Sequence, residues 1–409
     1  MKKSNSLLRD SAIIFAASMI SNVLNYAFQL YMGRALGPAD YGIFASIVSL
    51  LYIVAVPAST ISVSITRFVS GFMGKKELGK AKYLFFRGMK KVTIFGAVGF
   101  AIIAVLSPYI SSYLNIPYIS PVVILGLIFF MSVLTPLGNG TLQGLQRFKW
   151  LGAVQVTNSF VKLALGIALV SLGFGVSGAL FSLVLAGIAG FALATLFLRD
   201  ILKKKAQKFD KNSIISYSYP VFMSLLFINI MSNIDVVLVK HYFADVDAGH
   251  YAAAALIGKI VLFASGAITG VMFAKAAELK AKGMATRKIL YESMLYIFSI
   301  CFAVVSVYFI APHFVLSLLF GASYIDAVPL IGLFGLAMGF FALSNALVQY
   351  NLALKNTKFI WVLFFAVIIE IAMISLFHDS LLTVVKILAG TMALVFSSML
   401  IITRKEFIQ

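Results

Sequence analysis

The sequence predicts an all-α integral membrane protein, with twelve transmembrane helices in two pseudo-symmetric six-helix lobes around a central cavity. Three observations carry this. Of 409 residues, 61% are hydrophobic and only 11% are charged, whereas a soluble domain carries about 25% charged residues. Such a chain has too little polar surface to face water all round, so its solvent is lipid. The apolar stretches are near the length of a bilayer crossing, and basic loops separate them on one side only. The second half of the chain also repeats features of the first.

In order, the apolar runs place spans at 10–33, 41–66, 88–114, 118–142, 150–171 and 175–198, then 214–240, 248–274, 290–319, 325–350, 358–377 and 381–403. The opening "MKKSNSLLRD" looks like the basic start of a signal peptide. The run after it extends to Met32, contains Asn22, Asn25 and Gln29, and shows no cleavage site after a short apolar core, so it reads as a retained first helix. Pro57, Pro136 and Pro220 fall inside spans, where membrane helices tolerate proline, and are expected to kink them. With the N-terminus inside, all but Arg34, Lys162, Lys240, Lys259 and Lys386 of the 33 Lys and Arg fall in the inner segments. That alternation gives a multi-pass protein of the cell (cytoplasmic) membrane with both termini cytoplasmic. The polar stretch 199–213, "RDILKKKAQKFDKNS", divides the chain into an N-terminal lobe, 1–205, and a C-terminal lobe, 206–409. Attraction to inner-leaflet lipids explains its charge, and docking of a partner enzyme is the alternative.

The repeat is local but consistent. At a shift of 207, Asp40, Gly42, Phe44 and Ala45 fall on Asp247, Gly249, Tyr251 and Ala252, in the first hairpin of each half. At a shift of 206, Asn139 and Gln143 fall on Asn345 and Gln349, at the ends of spans 4 and 10. The shared turn is expected to place the Asp as a cap on the next helix. Halves with an even number of spans share an orientation, so the symmetry axis runs along the membrane normal with a cavity between them.

Polar residues inside the spans nominate the cavity lining. In span 1, Ser11, Ser18, Asn22, Asn25 and Gln29 fall within a sector of roughly 60° at about 100° per residue. Span 5 repeats the pattern with Gln155, Asn158, Ser159 and Lys162, and span 7 offers Asn229, Ser232, Asn233 and Asp235. Lys162, Asp235, Lys259, Glu370 and Lys386 are ionisable at membrane depth, where each costs roughly 2.5–3.5 kcal/mol at a helix centre. Lys162, Lys259, Asn22, Asn25, Gln29, Gln155 and Asn158 are therefore the substrate-binding candidates, with the lysines suited to a phosphate or diphosphate. Asp235, Glu370 and Lys386 are candidates for coupling to Na⁺ or H⁺ or for structural ion pairs; Asp235 can pair with Lys259, and Lys386 can snorkel to the interface. Amide stripes also serve simply as interhelical glue.

The same residues exclude other classes. The net charge of +19 is spread over short loops without a nucleic-acid-binding motif, so no nucleic-acid partner is expected. One cysteine, Cys301, excludes disulfides and cysteine-rich metal sites. The four histidines form no recognised metal pattern, and no metal, cofactor or catalytic residue is expected.

"YMGRALGPADYGIFA" at 31–45 resembles the N-terminal signature of Wzx-type polysaccharide flippases. So do the spans 4–6 text beginning "LQGLQRFKWLGAVQVTNSFVKLALG" and the segment "SNIDVVLVKHYFADVDAGHYAAA". The resemblance runs through nearly the whole chain and rests on Asn25, Arg34, Asp40, Gly42, Asp235, Gly249 and Tyr251. It implies the multidrug/oligosaccharidyl-lipid/polysaccharide exporter superfamily, with two six-helix lobes forming a V-shaped cavity. It further implies a non-enzymatic transporter that moves polyprenyl-diphosphate-linked oligosaccharide to the outer leaflet for O-antigen, capsule or exopolysaccharide synthesis, by alternating access. Its partners would be that glycolipid, membrane lipids and glycan-assembly enzymes. The lipid-II branch usually has two further helices, which points to the polysaccharide branch. A multidrug or organic-cation antiporter of the same superfamily is the alternative, and would want a lumen dominated by carboxylates. A membrane glycan polymerase or glycosyltransferase is a more distant one, and would want a substantial extramembrane loop.

Overall fold

A computed structural model describes residues 2–207, 215–354 and 356–408. Linker residues 208–214, which include Lys208 and Lys211, lie outside the described residues. The chain forms two compact units, Met1–Phe222 and Met223–Gln409.

The N-terminal unit comprises α1 (Lys2–Val54), α2 (Val56–Gly74), α3 (Leu78–Tyr113), α4 (Ser120–Gly144), α5 (Phe148–Leu169), α6 (Gly175–Phe197) and the single turn α7 (Arg199–Leu202), and ends in the first half of α8 (Ile215–Met231). The C-terminal unit continues with α9 (Ile234–Tyr242), α10 (Asp245–Gly258), α11 (Ile260–Ala281), α12 (Arg287–Ile310), α13 (Pro312–Leu319), α14 (Val328–Ala353), α15 (Phe359–Leu376) and α16 (Leu381–Ile408). The described residues contain no strand.

Among the described residues, ten segments are long and apolar enough to cross a membrane. Two of them, Ala12–Val54 and Phe148–Phe197, are 43 and 50 residues long, and each folds back on itself. Gly37 (φ 73°) breaks α1. Across that break Phe28 and Phe44 bring their ring centroids to 5.9 Å, where a straight helix would hold them about 24 Å apart at 1.5 Å per residue. Gly173 (φ 89°) and Gly175 (φ 50°) break the second segment, and the Asn158 amide then donates to the Ala186 carbonyl at 2.9 Å. Positive φ is the conformation that glycine adopts at no steric cost. The ten segments thus make twelve crossings.

Helix boundaries differ from the hydropathy boundaries in instructive places. Hydropathy starts span 3 at residue 88, but α3 starts at Leu78 and runs 36 residues, about 54 Å. Its first turns hold Lys80, Lys82, Arg87, Lys90 and Lys91; these long side chains form helix readily and end a lipid span without ending a helix. Span 2 extends to Gly74 after a break at Ala55, with Pro57 in the first turn of α2. By contrast, α4 passes through Pro136 unbroken. The stretch expected as one span over 290–319 is two helices. Pro312 disfavours helical backbone at Ala311 (φ −133°, ψ 51°), so α12 stops at Ile310 and α13 restarts.

The repeated turn keeps its register, though Asp247 does not cap α10. Asp40 follows Gly37, Pro38 and Ala39; Asp247 follows Ala244, Asp245 and Val246. Asp247 is therefore the third residue of α10, whose cap position is Ala244 with no side-chain cap bond. Asp245 and Asp247 favour the helix N-terminus as acids within its first turn. Phe44 and Tyr251, equivalent in the repeat, are both fully buried. The most enclosed apolar segments, Ser120–Gly144 and Ala322–Ala353, contain the fourth span of each unit, α4 and α14.

Candidate functional site

In the N-terminal unit the two polar stripes face each other. Gly152 and Gly166 draw α5 onto the first arm of α1: a Cβ at Gly152 would stand 2.8 Å from Ala17 Cβ, and one at Gly166 2.5 Å from Phe28 Cε2. Between these contacts the helices separate around a cavity of about 350 Å³. Ser18, Ser21, Asn22 and Asn25 line it from α1, and Gln155, Asn158 and Ser159 from α5. Val154 of α5, Thr135 and Asn139 of α4 and Gly190 of α6 complete it. Among the described residues, no carboxylate lines it.

Lys162 stands beside this cavity. Its ammonium donates to Asn25 Oδ1 and lies 4.8 Å from the centroid of the Phe28 ring. Both are weak neutralisers: an amide oxygen carries a partial charge, and an aromatic face contributes about 0.5–2 kcal/mol. Gln29 is half-buried and not part of the lining, and the Ser11 side chain lies outside the described residues.

The C-terminal unit builds a different centre. Span 7 breaks at Ser232–Asn233, where α8 ends and α9 begins, and span 8 breaks at Lys259 between α10 and α11. At the first break the Asn233 amide donates to Asn229 O at 2.9 Å, a local bond that competes with the helix ladder. The two breaks meet: Lys259 Nζ donates to Asn233 Oδ1 at 3.1 Å. Asp235, 1% exposed, accepts instead from the Tyr251 hydroxyl at 2.9 Å, so Asp235 and Lys259 are neighbours in one electrostatic cluster without a direct hydrogen bond. Glu370 of α15 is fully buried within electrostatic range of Asp235. Among the described residues, neither Glu370 oxygen has a hydrogen-bond partner, nor has Asp235 Oδ1. Lys386 is exposed near the start of α16.

The stripes of spans 1 and 5 stand out in the sequence because their residues recur at helical spacing. Ser21, Thr135 and Asn139 did not stand out as cavity residues, nor did Tyr251 as the partner of Asp235. The histidines also looked unrelated, whereas His378 stacks on Tyr242 with centroids at 4.0 Å and His241 packs on the same ring at 4.5 Å.

Solved structures share this fold over nearly the whole chain. An inward-facing multidrug resistance MATE family transporter of the MOP superfamily is 15% identical, covering 97% of this chain and 98% of its own, with a TM-score of 0.80. The lipid II flippase MurJ in an inward closed conformation is 13% identical, covering 97% and 89%, with a TM-score of 0.73. A MOP superfamily transporter from Pyrococcus furiosus Vc1, described by the reversed polarity of its binding pocket, is 16% identical, covering 97% and 93%, with a TM-score of 0.60. No curated protein sequence matches. At these identities the likeness establishes an all-α multi-pass membrane fold. The family model for polysaccharide biosynthesis proteins matches residues 31–329, most of the chain and both hairpins of the repeat, and the chain belongs to that family.

Proposed function

We propose that the protein moves polyprenyl-diphosphate-linked oligosaccharide from the cytoplasmic to the outer leaflet of the cell membrane by alternating access, serving polysaccharide synthesis. The observation that carries this is Lys162, a cation at membrane depth beside a polar cavity, bonded to an amide where the lining offers no carboxylate. Such a charge is costly in hydrocarbon and is best neutralised by an anion that comes and goes. A diphosphate supplies that anion, and the prenyl tail stays in lipid. The basic loops then lie in the cytoplasm, where glycan-assembly enzymes would deliver the substrate. A glycan polymerase or glycosyltransferase is disfavoured, because the fold neighbours are named as transporters and a flippase.

An organic-cation exporter would need a negative substrate cavity, and the lining in the N-terminal unit has no acid. Among the described residues, the buried carboxylates, Asp235 and Glu370, are in the C-terminal unit. Two buried acids with three unpartnered oxygens between them form a donor set suited to Na⁺, or to protons. We assign Asp235 and Glu370 to ion coupling, with the Tyr251 hydroxyl holding Asp235 in place and Lys259, bonded to Asn233, as a neighbouring positive charge.

The test is native mass spectrometry of the gently purified protein, titrated with polyprenyl-diphosphate sugar against an organic cation. Retention of the glycolipid, weakened about tenfold or more by Lys162→Gln, is expected. Normal retention and flipping by Lys162→Gln, or retention of the cation alone, would overturn the reading.

A further inference from the structure

A second cavity in the N-terminal unit lies between α2 and α3. The Thr66 and Ser70 hydroxyls of α2 donate to the Gly140 and Gly144 carbonyls of α4, at 3.3 Å and 3.2 Å. Gly96 and Gly99 draw α3 onto the same helix: Cβ atoms there would stand 2.9 Å from Phe130 Cδ2 and 2.1 Å from Phe129 Cε1. Each helix is thus held by α4, and between them they leave a slot of about 350 Å³. Its walls are apolar, with Pro57, Ile61 and Phe68 on α2, Leu84 and Val92 on α3, and Leu137 of α4 behind them. Three polar side chains interrupt those walls: Thr60, Ser64 and Lys91. The Ser64 hydroxyl is satisfied, donating to Thr60 O at 2.9 Å. Thr60 Oγ1 has no hydrogen-bond partner among the described residues.

An apolar slot with one cation and one unpartnered hydroxyl matches an amphiphile with an anionic head. No acidic residue occurs in α2, α3 or α4, so these walls supply no counter-charge for Lys91. The Lys91 side chain points back toward the N-terminus of α3, where Lys80, Lys82, Arg87 and Lys90 lie. The charge pattern puts that end at the inner leaflet, and anionic lipids are drawn to such basic segments. The prenyl tail of a translocated substrate does not suit the position. Thr135 and Asn139 line the polar cavity, whereas Leu137, between them, lines the slot. At about 100° per residue these are opposite sides of one helix, so α4 stands between the slot and the cavity beside Lys162. We infer that the slot is a binding site for one anionic phospholipid of the inner leaflet. One acyl chain lies along Ile61 and Val92, the phosphate meets Lys91 Nζ, and Thr60 Oγ1 donates to an ester carbonyl. The lipid is a structural ligand that fills the gap between α2 and α3, and the inference does not depend on the substrate reading.

The experiment is native mass spectrometry of the delipidated full chain, titrated with phosphatidylglycerol, phosphatidylcholine and a polyprenyl phosphate. One phosphatidylglycerol is expected to bind about fivefold tighter than phosphatidylcholine. That is the weight of one lysine near an anionic head group, about 1 kcal/mol. Lys91→Gln, at an exposed side chain, should remove the preference, and Lys91→Arg should keep it. Ile61→Trp, which fills the slot, should weaken both phospholipids together. If that variant does not fold, Thr60→Val, which deletes the unpartnered oxygen, should weaken both to a smaller degree. Equal retention of the two phospholipids by the unmodified protein would mean that only annular lipid fills the slot, and would overturn the inference. A preference that survives Lys91→Gln would place the anionic lipid elsewhere on the basic loops, and would overturn it too. Displacement of phosphatidylglycerol by the polyprenyl phosphate, one for one and lost in Lys91→Gln, would make the slot a prenyl site and overturn the phospholipid as its occupant.

Discussion

The two units make the same turn and place different polar groups in their interiors. Asp40 and Asp247 occupy the same place after the break in the first hairpin, and Phe44 and Tyr251 are buried at equivalent positions. Beyond that turn, the N-terminal unit surrounds its cavity with amides and hydroxyls beside Lys162. The C-terminal unit surrounds Asp235 and Glu370 with one phenol and one lysine. Phe44 packs on Phe28, whereas the Tyr251 hydroxyl holds Asp235. One oxygen on an equivalent ring thus separates a packing residue from a carboxylate ligand. The repeat supplies the scaffold, and the division of labour comes from the polar residues placed on it.

The largest expected effect lies in the carboxylate unit. If Asp235 and Glu370 hold Na⁺, ligand linkage stabilises the protein by about 2.7 kcal/mol at a hundredfold excess over the dissociation constant. The melting temperature should rise with Na⁺ relative to choline, and Glu370→Gln should abolish that rise. Lys162→Gln, in the other unit, should leave it intact. A melting temperature indifferent to Na⁺ but dependent on pH would assign the site to protons, and indifference to both would remove ion coupling from these residues.

Packing should separate the units next. Gly166 lies against Phe28 and Met32, where a Cβ would stand 2.5 Å and 2.8 Å from their side chains, so Gly166→Val has to push α5 from α1. Overpacking of this kind costs about 1–3 kcal/mol, and here it would also pull Lys162 from Asn25. Gly270 in α11 is different: a Cβ added there would meet nothing within 4 Å, so Gly270→Ala should be neutral or slightly stabilising. Thermal unfolding of both variants checks the contrast; equal stability would show that the close α1–α5 approach does not hold the cavity.

Much of this was legible because lipid imposes a simple rule: a long apolar run has one fate, and the basic loops between runs count the crossings. What failed to show follows from the same rule. Hydropathy ends where charges begin, but Lys82 and Arg87 continue α3 beyond the apolar run. The stripe of span 1 could be read because its amides recur at helical spacing. Thr135 and Asn139 could not, because polar residues scattered on α4 have no period to announce a face. Glu370 and Asp235, on α15 and α9, meet only through tertiary packing, which no local pattern encodes.

The smallest effect tests the N-terminal unit outside the membrane. Arg147, in the turn before α5, donates to Phe197 O at 2.7 Å and to Asp200 Oδ1 at 2.8 Å. These bonds tie that turn to α7. The guanidinium hydrogen bond holds the Asp200 carboxyl below its ordinary value, against a smaller opposing push from burial. A carboxyl depressed in the folded state contributes stability above its unfolded value, and loses it as pH falls through the depressed one. With Asp200 55% exposed, the pair is worth less than about 1 kcal/mol. Asp200→Asn should therefore lower the melting temperature slightly at neutral pH, and the difference from the unmodified protein should vanish in acid. A loss that persists in acid would mean that the Arg147 bond to the Phe197 carbonyl, which carries no titrating group, is what Asp200 keeps in place.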